Sequence, residues 1–306
     1  MNIEDPDSLP VTEQENPRSR NLSSLSTAEI VALMNEEDAS VAVAVSRVLD
    51  NVTRAIDQIV IRLSSEGRLF YIGTGTSGRL GVLDASECPP TFGVSPELVQ
   101  GVIAGGYDAC YRAVEASEDD AVAGEFDLDR RGFNEKDVLV GIAASGRTPY
   151  TVGAIRYARE LGAFTVGLTC VPDSPITKAA EVSIVPVVGP EVVTGSSRLK
   201  AGTAQKMVLN MLSTATMVRL GYVSGNRMSN LQAKNIKLRE RALRILKRET
   251  GLDDQAVTEA FEASDTNLSV ALVMTKTQAT REQALEALGK ANGKVDEAVN
   301  RLSDKL

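Results

Sequence analysis

Five short apolar runs, most of them separated by helical patterns, constrain the fold of this chain more than any other feature. Each run is rich in β-branched residues and too short to form a buried helix; they occupy 68–72, 98–104, 137–144, 164–170 and 182–188. Strands that alternate with helices form a parallel sheet that helices cover on both faces. In such sheets, ligands bind beyond the carboxyl ends of the strands, where the strand order reverses.

The segments on either side of these runs predict helices. Ser26 and Glu29 form a capping box that begins one helix, and apolar residues recur at helical spacing over 41–63, which predicts one longer helix there. Residues 1 to about 22 predict an extended arm. Further helices are predicted over 150–162, 200–220 and 228–247, and in three or four short segments after residue 251.

Composition and charge exclude several classes of function. The chain carries 33 Lys and Arg residues against 41 Asp and Glu, a net charge of −8, so its mean field repels nucleic acids and anionic membranes. Histidine is absent, which excludes Ser-His-Asp and Cys-His catalysis and His-ligated zinc. Three scattered cysteines are typical of reduced thiols, and there is neither an apolar leader nor an 18-residue apolar stretch. We therefore expect a cytoplasmic protein that binds no metal.

The glycine-rich loop after the first apolar run is a candidate phosphate site. Residues 73–78 match the pattern G-x-G-x-x-G between a predicted strand and a predicted helix. A dinucleotide loop needs no hydroxyl groups, whereas Thr74, Thr76 and Ser77 supply three, which suit a terminal monophosphate. A nucleotide stays open as the alternative, because Asp108 lies near a strand end, where an acidic residue can bind ribose.

A second hydroxyl-rich loop follows the third apolar run. Ser145 and Thr148 precede Pro149, which suits the first position of a helix. Because both loops follow strands of one parallel sheet, we expect them to converge on one anion. The predicted ligands in the two loops are Gly75, Thr76, Ser77, Gly78, Ser145, Gly146, Arg147 and Thr148.

Four longer segments resemble one enzyme family, the N-acetylmuramic acid 6-phosphate etherases. These enzymes contain sugar isomerase (SIS) domains and are related to glucokinase regulatory protein. The segments are 75–94, 113–120, 141–150 and 187–215, and the resemblance runs from about Val11 to the C-terminus. It implies an α/β fold, a parallel-sheet sandwich of the SIS or flavodoxin-like type, with N-terminal helices and a small C-terminal helical domain. The implied parts are an N-terminal arm with helices (1–66), an SIS phosphosugar-binding domain (67–225), a connecting helix (226–250) and a helical domain (251–306).

The resemblance also implies a reaction. A homodimer without a cofactor would cleave the lactyl ether of N-acetylmuramic acid 6-phosphate by elimination and water addition, in the recycling of cell-wall amino sugars. The family's two acidic residues correspond to Glu87, the implied acid, and Glu118, the implied base, although the sequence cannot order the two roles. Pro89 and Pro90 are expected to end the helix that carries Glu87.

The resemblance places further ligands near 187–215. This region closes the sugar pocket in SIS proteins, so Glu191 is an expected ligand of sugar hydroxyls, Ser196 of the substrate and Lys200 of the phosphate. The segment 226–238 departs from the family pattern, which leaves any contact made there open. Two alternatives remain, a non-catalytic phosphosugar-binding regulator and an aldose-ketose isomerase, and the second fits less well because such isomerases commonly use a histidine.

Overall fold

The computed structural model describes residues 9–112, 114, 118–228, 236–291 and 293–303. By their contacts, these residues form two compact units. The first is built from residues up to Ser86 together with Glu97–Ser213, and the second from Glu87–Pro96 together with the residues from Thr214 onward. The four-part division expected from the sequence stays a prediction.

The first unit contains a five-stranded parallel sheet, as predicted. Its strands are β1 (Leu69–Gly73), β2 (Val99–Ile103), β3 (Val138–Ile142), β4 (Phe164–Leu168) and β5 (Val182–Ile184). The sheet order is β2-β1-β3-β4-β5, and all neighbouring strands are parallel. This is the flavodoxin-like order, in which the switch point lies between β1 and β3. The crevice beyond the carboxyl ends of these two strands is therefore the expected place for a ligand.

Among the described residues, eight α-helices begin in the first unit. They are α1 (Thr27–Asp38), α2 (Val41–Ser46), α3 (Leu49–Leu63), α4 (Gly75–Phe92), α5 (Ala121–Asp129), α6 (Pro149–Glu160), α7 (Pro175–Ala179) and α8 (Lys200–Arg219). The capping box of Ser26 and Glu29 at the start of α1 is confirmed. Helix α6 packs on β1, β3 and β4, and its apolar side chains join a buried cluster with Phe70, Leu139 and Leu128.

The single helix predicted over 41–63 is wrong, because the chain forms α2 and α3 with a break at Arg47 and Val48. Val48 leaves the helical region, with φ −116° and ψ 10°, and its N–H donates to Val45 O at 3.1 Å in a tighter turn. Both helices still bury the apolar positions that produced the prediction, such as Val45 and Val52. The spacing therefore identified the buried face and missed the break.

The extended arm predicted up to residue 22 is wrong for the residues described there. The chain forms turns and two 3-10 helices, Pro17–Ser19 and Leu22–Ser24. Asn16 is buried and holds this segment in place, because its side-chain oxygen accepts from Arg18 N at 2.9 Å while its amide donates to Glu37 and to Pro190 O. Residues 1–8 lie outside the described residues.

Helix α4 does not end after Glu87 as predicted. Pro89 and Pro90 lie inside it, and the helix continues to Phe92. Proline fixes φ at a value that a helix can adopt. The two prolines lack N–H groups, so the helix loses two hydrogen bonds but can continue past them. The helix ends at Gly93, whose N–H donates to Pro89 O at 2.9 Å.

The second unit is mainly helical. It contains α9 (Ile236–Thr250), α10 (Asp254–Ala263), α11 (Leu268–Thr277), α12 (Arg281–Lys290) and α13 (Val295–Ser303), which share one buried apolar cluster. Thr280 and Gln283 form a capping box at the start of α12. The helix predicted from Met228 is wrong at its start, because Met228 lies in a short antiparallel hairpin of β6 (Val223–Ser224) and β7 (Arg227–Met228).

None of the helices in the described ranges is long and apolar enough to cross a membrane.

Candidate active site

A cavity of about 390 Å³ opens in the first unit at the carboxyl ends of β1 and β3. The structure brings both predicted loops to this cavity, at the switch point of the sheet. The lining residues from the two loops are Thr74, Gly75, Thr76, Ser77, Ala143, Ala144, Ser145 and Thr148. Other segments contribute Thr12, Glu13, Arg79, Ala104, Ala109, Val114, Glu118 and Ser197.

The first loop places the N-terminus of α4 at the cavity. The helix begins at Gly75, so the unpaired N–H groups of its first turn favour an anion there. Gly78 allows this turn to pack closely on the sheet, because a Cβ at Gly78 would lie 2.5 Å from Gly73 O and 2.7 Å from Ile103 Cγ1. Gly78 therefore supports the loop by its lack of a side chain.

The second loop places the N-terminus of α6 at the same cavity. Thr148 is the N-cap residue and Pro149 takes the first helical turn, as predicted. Gly146 has φ 68°, and a Cβ there would lie 2.2 Å from Ser174 Oγ, so this turn requires glycine. Arg147 is exposed and is not among the residues that line the cavity.

Arg79 is a lining residue that sequence reasoning missed, although it directly follows the glycine-rich loop. Its guanidinium donates to the carbonyl oxygens of Ala109 at 2.9 Å, Cys110 at 3.1 Å and Arg112 at 3.1 Å. Neutral carbonyl partners fix the side chain without cancelling its charge. Arg79 thus contributes a positive charge to the wall of the cavity.

Gln205 is a second residue that sequence reasoning missed. It lies on α8 and is 1% exposed, and its Oε1 accepts a hydrogen bond from Ser77 Oγ at 3.0 Å. Its Nε2 has no hydrogen-bond partner among the described residues. A half-turn of this amide would make Gln205 the donor and free the Ser77 hydroxyl hydrogen for a ligand. No local signal in the sequence singles out Gln205, which is followed directly by the exposed Lys206.

Glu118 brings a carboxylate to the hydroxyl-lined cavity. Its Oε1 lies 3.5 Å from the position that a Cβ would take at Gly75. Its backbone oxygen accepts from Tyr150 N at 3.1 Å, which ties this residue to the first turn of α6. Burial and the Asp127 carboxylate, which accepts from Tyr150 Oη at 2.6 Å, raise the pKa of Tyr150, so its hydroxyl stays protonated. The hydroxyl of Tyr150 is therefore not available as a base, and the described residues that bring a carboxylate to the cavity are Glu118 and Glu13.

Glu87, the other predicted catalytic residue, is exposed on α4 and belongs to the second unit. Its role stays a prediction.

The structure gives Glu191 and Lys200 partners within the protein. The Glu191 carboxylate accepts from the backbone N–H groups of Lys200 at 3.0 Å and Ala201 at 2.9 Å, and so caps α8. Burial raises the pKa of Glu191 against the lowering effect of these two donors. Lys200 Nζ donates to Glu37 Oε2 at 2.6 Å. We assign structural roles to both residues, and Ser197 lines the cavity where Ser196 was predicted.

Replacing Lys200 by methionine is expected to destabilise the protein by about 2 kcal/mol, because the Glu37 carboxylate loses its buried cation while keeping Asn16 and Arg18 as partners. Burial alone would raise the pKa of Glu37, but the hydrogen bond and charge of Lys200 hold that pKa below its ordinary value. The pair therefore stabilises the fold above about pH 4.3, and that contribution is lost as the pH falls through the folded-state pKa. Urea unfolding at several pH values measures the difference in free energy of unfolding between this variant and the unmodified protein. Lys206→Met, at an exposed position on α8, is the control. A difference that is absent at pH 7, or that grows on acidification, contradicts the assignment.

Comparison with known proteins identifies the family. The N-terminal SIS domain of glucokinase regulatory protein matches residues 51–159, and the general SIS domain matches residues 123–215. The N-acetylmuramic acid 6-phosphate etherase of Clostridium beijerinckii is 50% identical over 294 residues, which cover 96% of this chain and 97% of that protein. The etherase of Aliivibrio fischeri (strain MJ11) is 49% identical over 295 residues, which cover 96% and 97%. The chain belongs to the N-acetylmuramic acid 6-phosphate etherases.

Membership of this etherase family confirms the resemblance seen in the sequence. A solved structure shares the fold: a Bacteroides fragilis protein, described as a phosphosugar isomerase involved in capsule formation, matches with a TM-score of 0.50 and 21% identity. The match covers 66% of this chain and 95% of that one. This chain thus has the parallel-sheet SIS fold that the sequence predicted.

Proposed function

We propose that this protein is a lyase that cleaves the D-lactyl ether of N-acetylmuramic acid 6-phosphate, giving N-acetylglucosamine 6-phosphate and D-lactate. The reaction belongs to the recycling of cell-wall amino sugars. The observation that carries the proposal is the Glu118 carboxylate in a cavity where two hydroxyl-rich helix N-termini meet. The high identity to etherases over almost the whole chain supports the same reaction.

The phosphate end of the substrate would lie against the two strand-end loops. The first turns of α4 and α6 supply N–H groups, and the hydroxyls of Thr76, Ser145 and Thr148 supply further donors. Arg79 adds a positive charge. These groups suit a compact dianion and provide the local attraction that a chain of net charge −8 needs.

The chemistry follows from the substrate once its sugar ring is open. The aldehyde at C1 acidifies the proton on C2 by delocalising the negative charge that its removal creates. A base takes that proton, the bond between C3 and the lactyl oxygen breaks, and an acid protonates the departing oxygen. Water then adds at C3 and a proton returns to C2, which completes the conversion of ether and water to alcohol and lactate. Because the aldehyde stabilises the charge, the reaction needs no cofactor.

Two carboxylates fill the acid and base roles in this proposal. Glu118 is the base at C2, and its place beside the first loop supports that role. Glu87 is the acid at the departing lactate, a role that only the family resemblance supports. A non-catalytic phosphosugar-binding regulator would need neither glutamate and is not favoured.

The remaining expectations concern assembly and location. We propose a homodimer, which the family resemblance implies. We expect the protein to bind no nucleic acid, because its net charge of −8 repels polyanions. We expect it to act in the cytoplasm.

The proposed reaction is tested by incubating the purified protein with N-acetylmuramic acid 6-phosphate in water enriched in oxygen-18. Elimination breaks the C3–O bond, so we expect D-lactate without the label and N-acetylglucosamine 6-phosphate with the label on its C3 hydroxyl. The absence of lactate would contradict the function. Label in the lactate would contradict the elimination.

The variant Gln205→Leu is expected to bind N-acetylglucosamine 6-phosphate about tenfold more weakly, because Ser77 loses the buried partner that orients its hydroxyl. Isothermal titration calorimetry measures this affinity. Lys206→Gln, the neighbouring exposed position on α8, is the control. Equal affinity in the two variants would show that Ser77 needs no orienting partner.

A further inference from the structure

The segment at 9–16 supplies two lining residues that neither the sequence motifs nor the proposed reaction uses. Thr12 and Glu13 both line the cavity. Thr12 is 2% exposed, and its hydroxyl has no hydrogen-bond partner among the described residues. A buried hydroxyl without a partner is costly, and the cavity is where a bound molecule would supply that partner.

The protein holds these two residues in a defined place. Glu13 N donates to Pro10 O at 2.8 Å, and Gln14 Nε2 donates to Leu9 O at 2.8 Å, which close a turn around Thr12. On the other side, the buried Asn16 donates to Pro190 O at 3.3 Å and to Glu37 at 2.9 Å. Glu37 in turn accepts from the buried Lys200 at the start of α8. The turn is therefore anchored to α1 and to the region that begins α8.

Charge distinguishes what each residue can bind. A carboxylate only accepts hydrogen bonds and is repelled by a phosphate dianion, so Glu13 suits the part of the ligand that carries hydroxyl or amide N–H donors. The hydroxyl of Thr12 both donates and accepts, so it can pair with either part of the ligand.

We propose that the turn at 9–16 is part of the substrate site. Thr12 Oγ1 hydrogen-bonds the bound phosphosugar, and the Glu13 carboxylate accepts from a hydroxyl or amide N–H of its sugar. This inference rests on the proposed function, since it names further ligands of the same substrate. The two residues bind substrate and transfer no proton.

The test for Thr12 compares Thr12→Val, which replaces the hydroxyl by a methyl group, with Thr12→Ser, which keeps it. Thr12→Val is expected to weaken binding of N-acetylglucosamine 6-phosphate and raise KM for the ether substrate about tenfold, with kcat little changed. Thr12→Ser is expected to keep most of the affinity. Thermal unfolding without ligand is expected to show Thr12→Val at least as stable as the unmodified protein, since it removes an unpaired buried hydroxyl.

The test for Glu13 compares Glu13→Gln with Glu15→Gln. Both residues are exposed on the same segment, and of the two only Glu13 lines the cavity. Glu13→Gln is expected to weaken binding of N-acetylglucosamine 6-phosphate while leaving affinity for inorganic phosphate unchanged, because the carboxylate meets the sugar. Glu15→Gln is expected to change neither affinity.

Three outcomes would overturn the inference while leaving the proposed function intact. They are unchanged sugar-phosphate affinity in both Thr12→Val and Glu13→Gln, a loss of affinity that Thr12→Ser shares in full, and a Thr12→Val protein that loses stability without losing affinity. Failure of the unmodified protein to release lactate is a different result, and it would count against the proposed function.

Discussion

The variant Glu118→Gln is expected to release D-lactate about 10²–10⁴-fold more slowly than the unmodified protein, because an amide cannot take the proton from C2. Binding of N-acetylglucosamine 6-phosphate is expected to stay within a few-fold, since the two strand-end loops hold the phosphate. A coupled assay for D-lactate gives the rate, and calorimetry gives the affinity.

Asp119→Asn is the matched control for Glu118, because Asp119 is the next residue, is exposed, and is not among the residues that line the cavity. It is expected to keep the full rate. Lactate release at the normal rate in Glu118→Gln would refute its role as the base. A variant that loses binding and rate together would indicate a structural role.

Glu87→Gln is expected to reduce lactate release by a comparable factor, about 10²–10⁴-fold, because the departing alkoxide would lack its acid. It differs from Glu118→Gln in a partial reaction. In deuterium oxide the base alone exchanges the C2 proton of N-acetylglucosamine 6-phosphate, so Glu87→Gln is expected to keep this exchange and Glu118→Gln to lose it. Nuclear magnetic resonance of the C2 position follows the exchange.

Ser86→Ala, at the exposed position before Glu87, is the control and is expected to keep both rates. Loss of exchange in Glu87→Gln with retention in Glu118→Gln would show that the two roles are reversed. Full lactate release in Glu87→Gln would remove this residue from the reaction.

The sheet could be predicted from the sequence because its strands are buried on both faces and therefore read as short apolar runs. Those runs contain β2, β3, β4 and β5 in full and β1 except for Gly73, and the hydroxyl-rich loops after β1 and β3 meet at the cavity as expected. Parallel pairing fixes this result, since it places both strand ends at one edge. The phosphate part of the candidate site was therefore readable from local sequence.

The errors lie where local signals compete with tertiary structure. The helix is interrupted at Val48, although the apolar spacing continues across it. The turn at Val48 keeps the apolar faces of both helices buried, so the sequence pattern shows no interruption. Pro89 and Pro90 favour a helix end, but the helix continues past them to Gly93. Violating one of these local preferences costs a few kcal/mol at most, and favourable packing in the folded protein can outweigh that cost.

The residues that sequence reasoning missed depend on contacts between distant segments. Thr12 lines the cavity from a turn that Asn16 fastens to Pro190, 174 residues away. In the sequence, Lys200 stands out as a positive charge that could bind a phosphate, but in the structure its ammonium group forms an ion pair with Glu37. Such pairings leave no mark in a single sequence, because each partner alone resembles an ordinary polar surface residue.

The most direct measurement is a crystal structure of the protein with N-acetylglucosamine 6-phosphate. The account predicts the phosphate within hydrogen-bond distance of the loops at 73–78 and 145–148, and C2 of the sugar facing the Glu118 carboxylate. A phosphate bound away from both loops, or a C2 beyond the reach of Glu118, would contradict it.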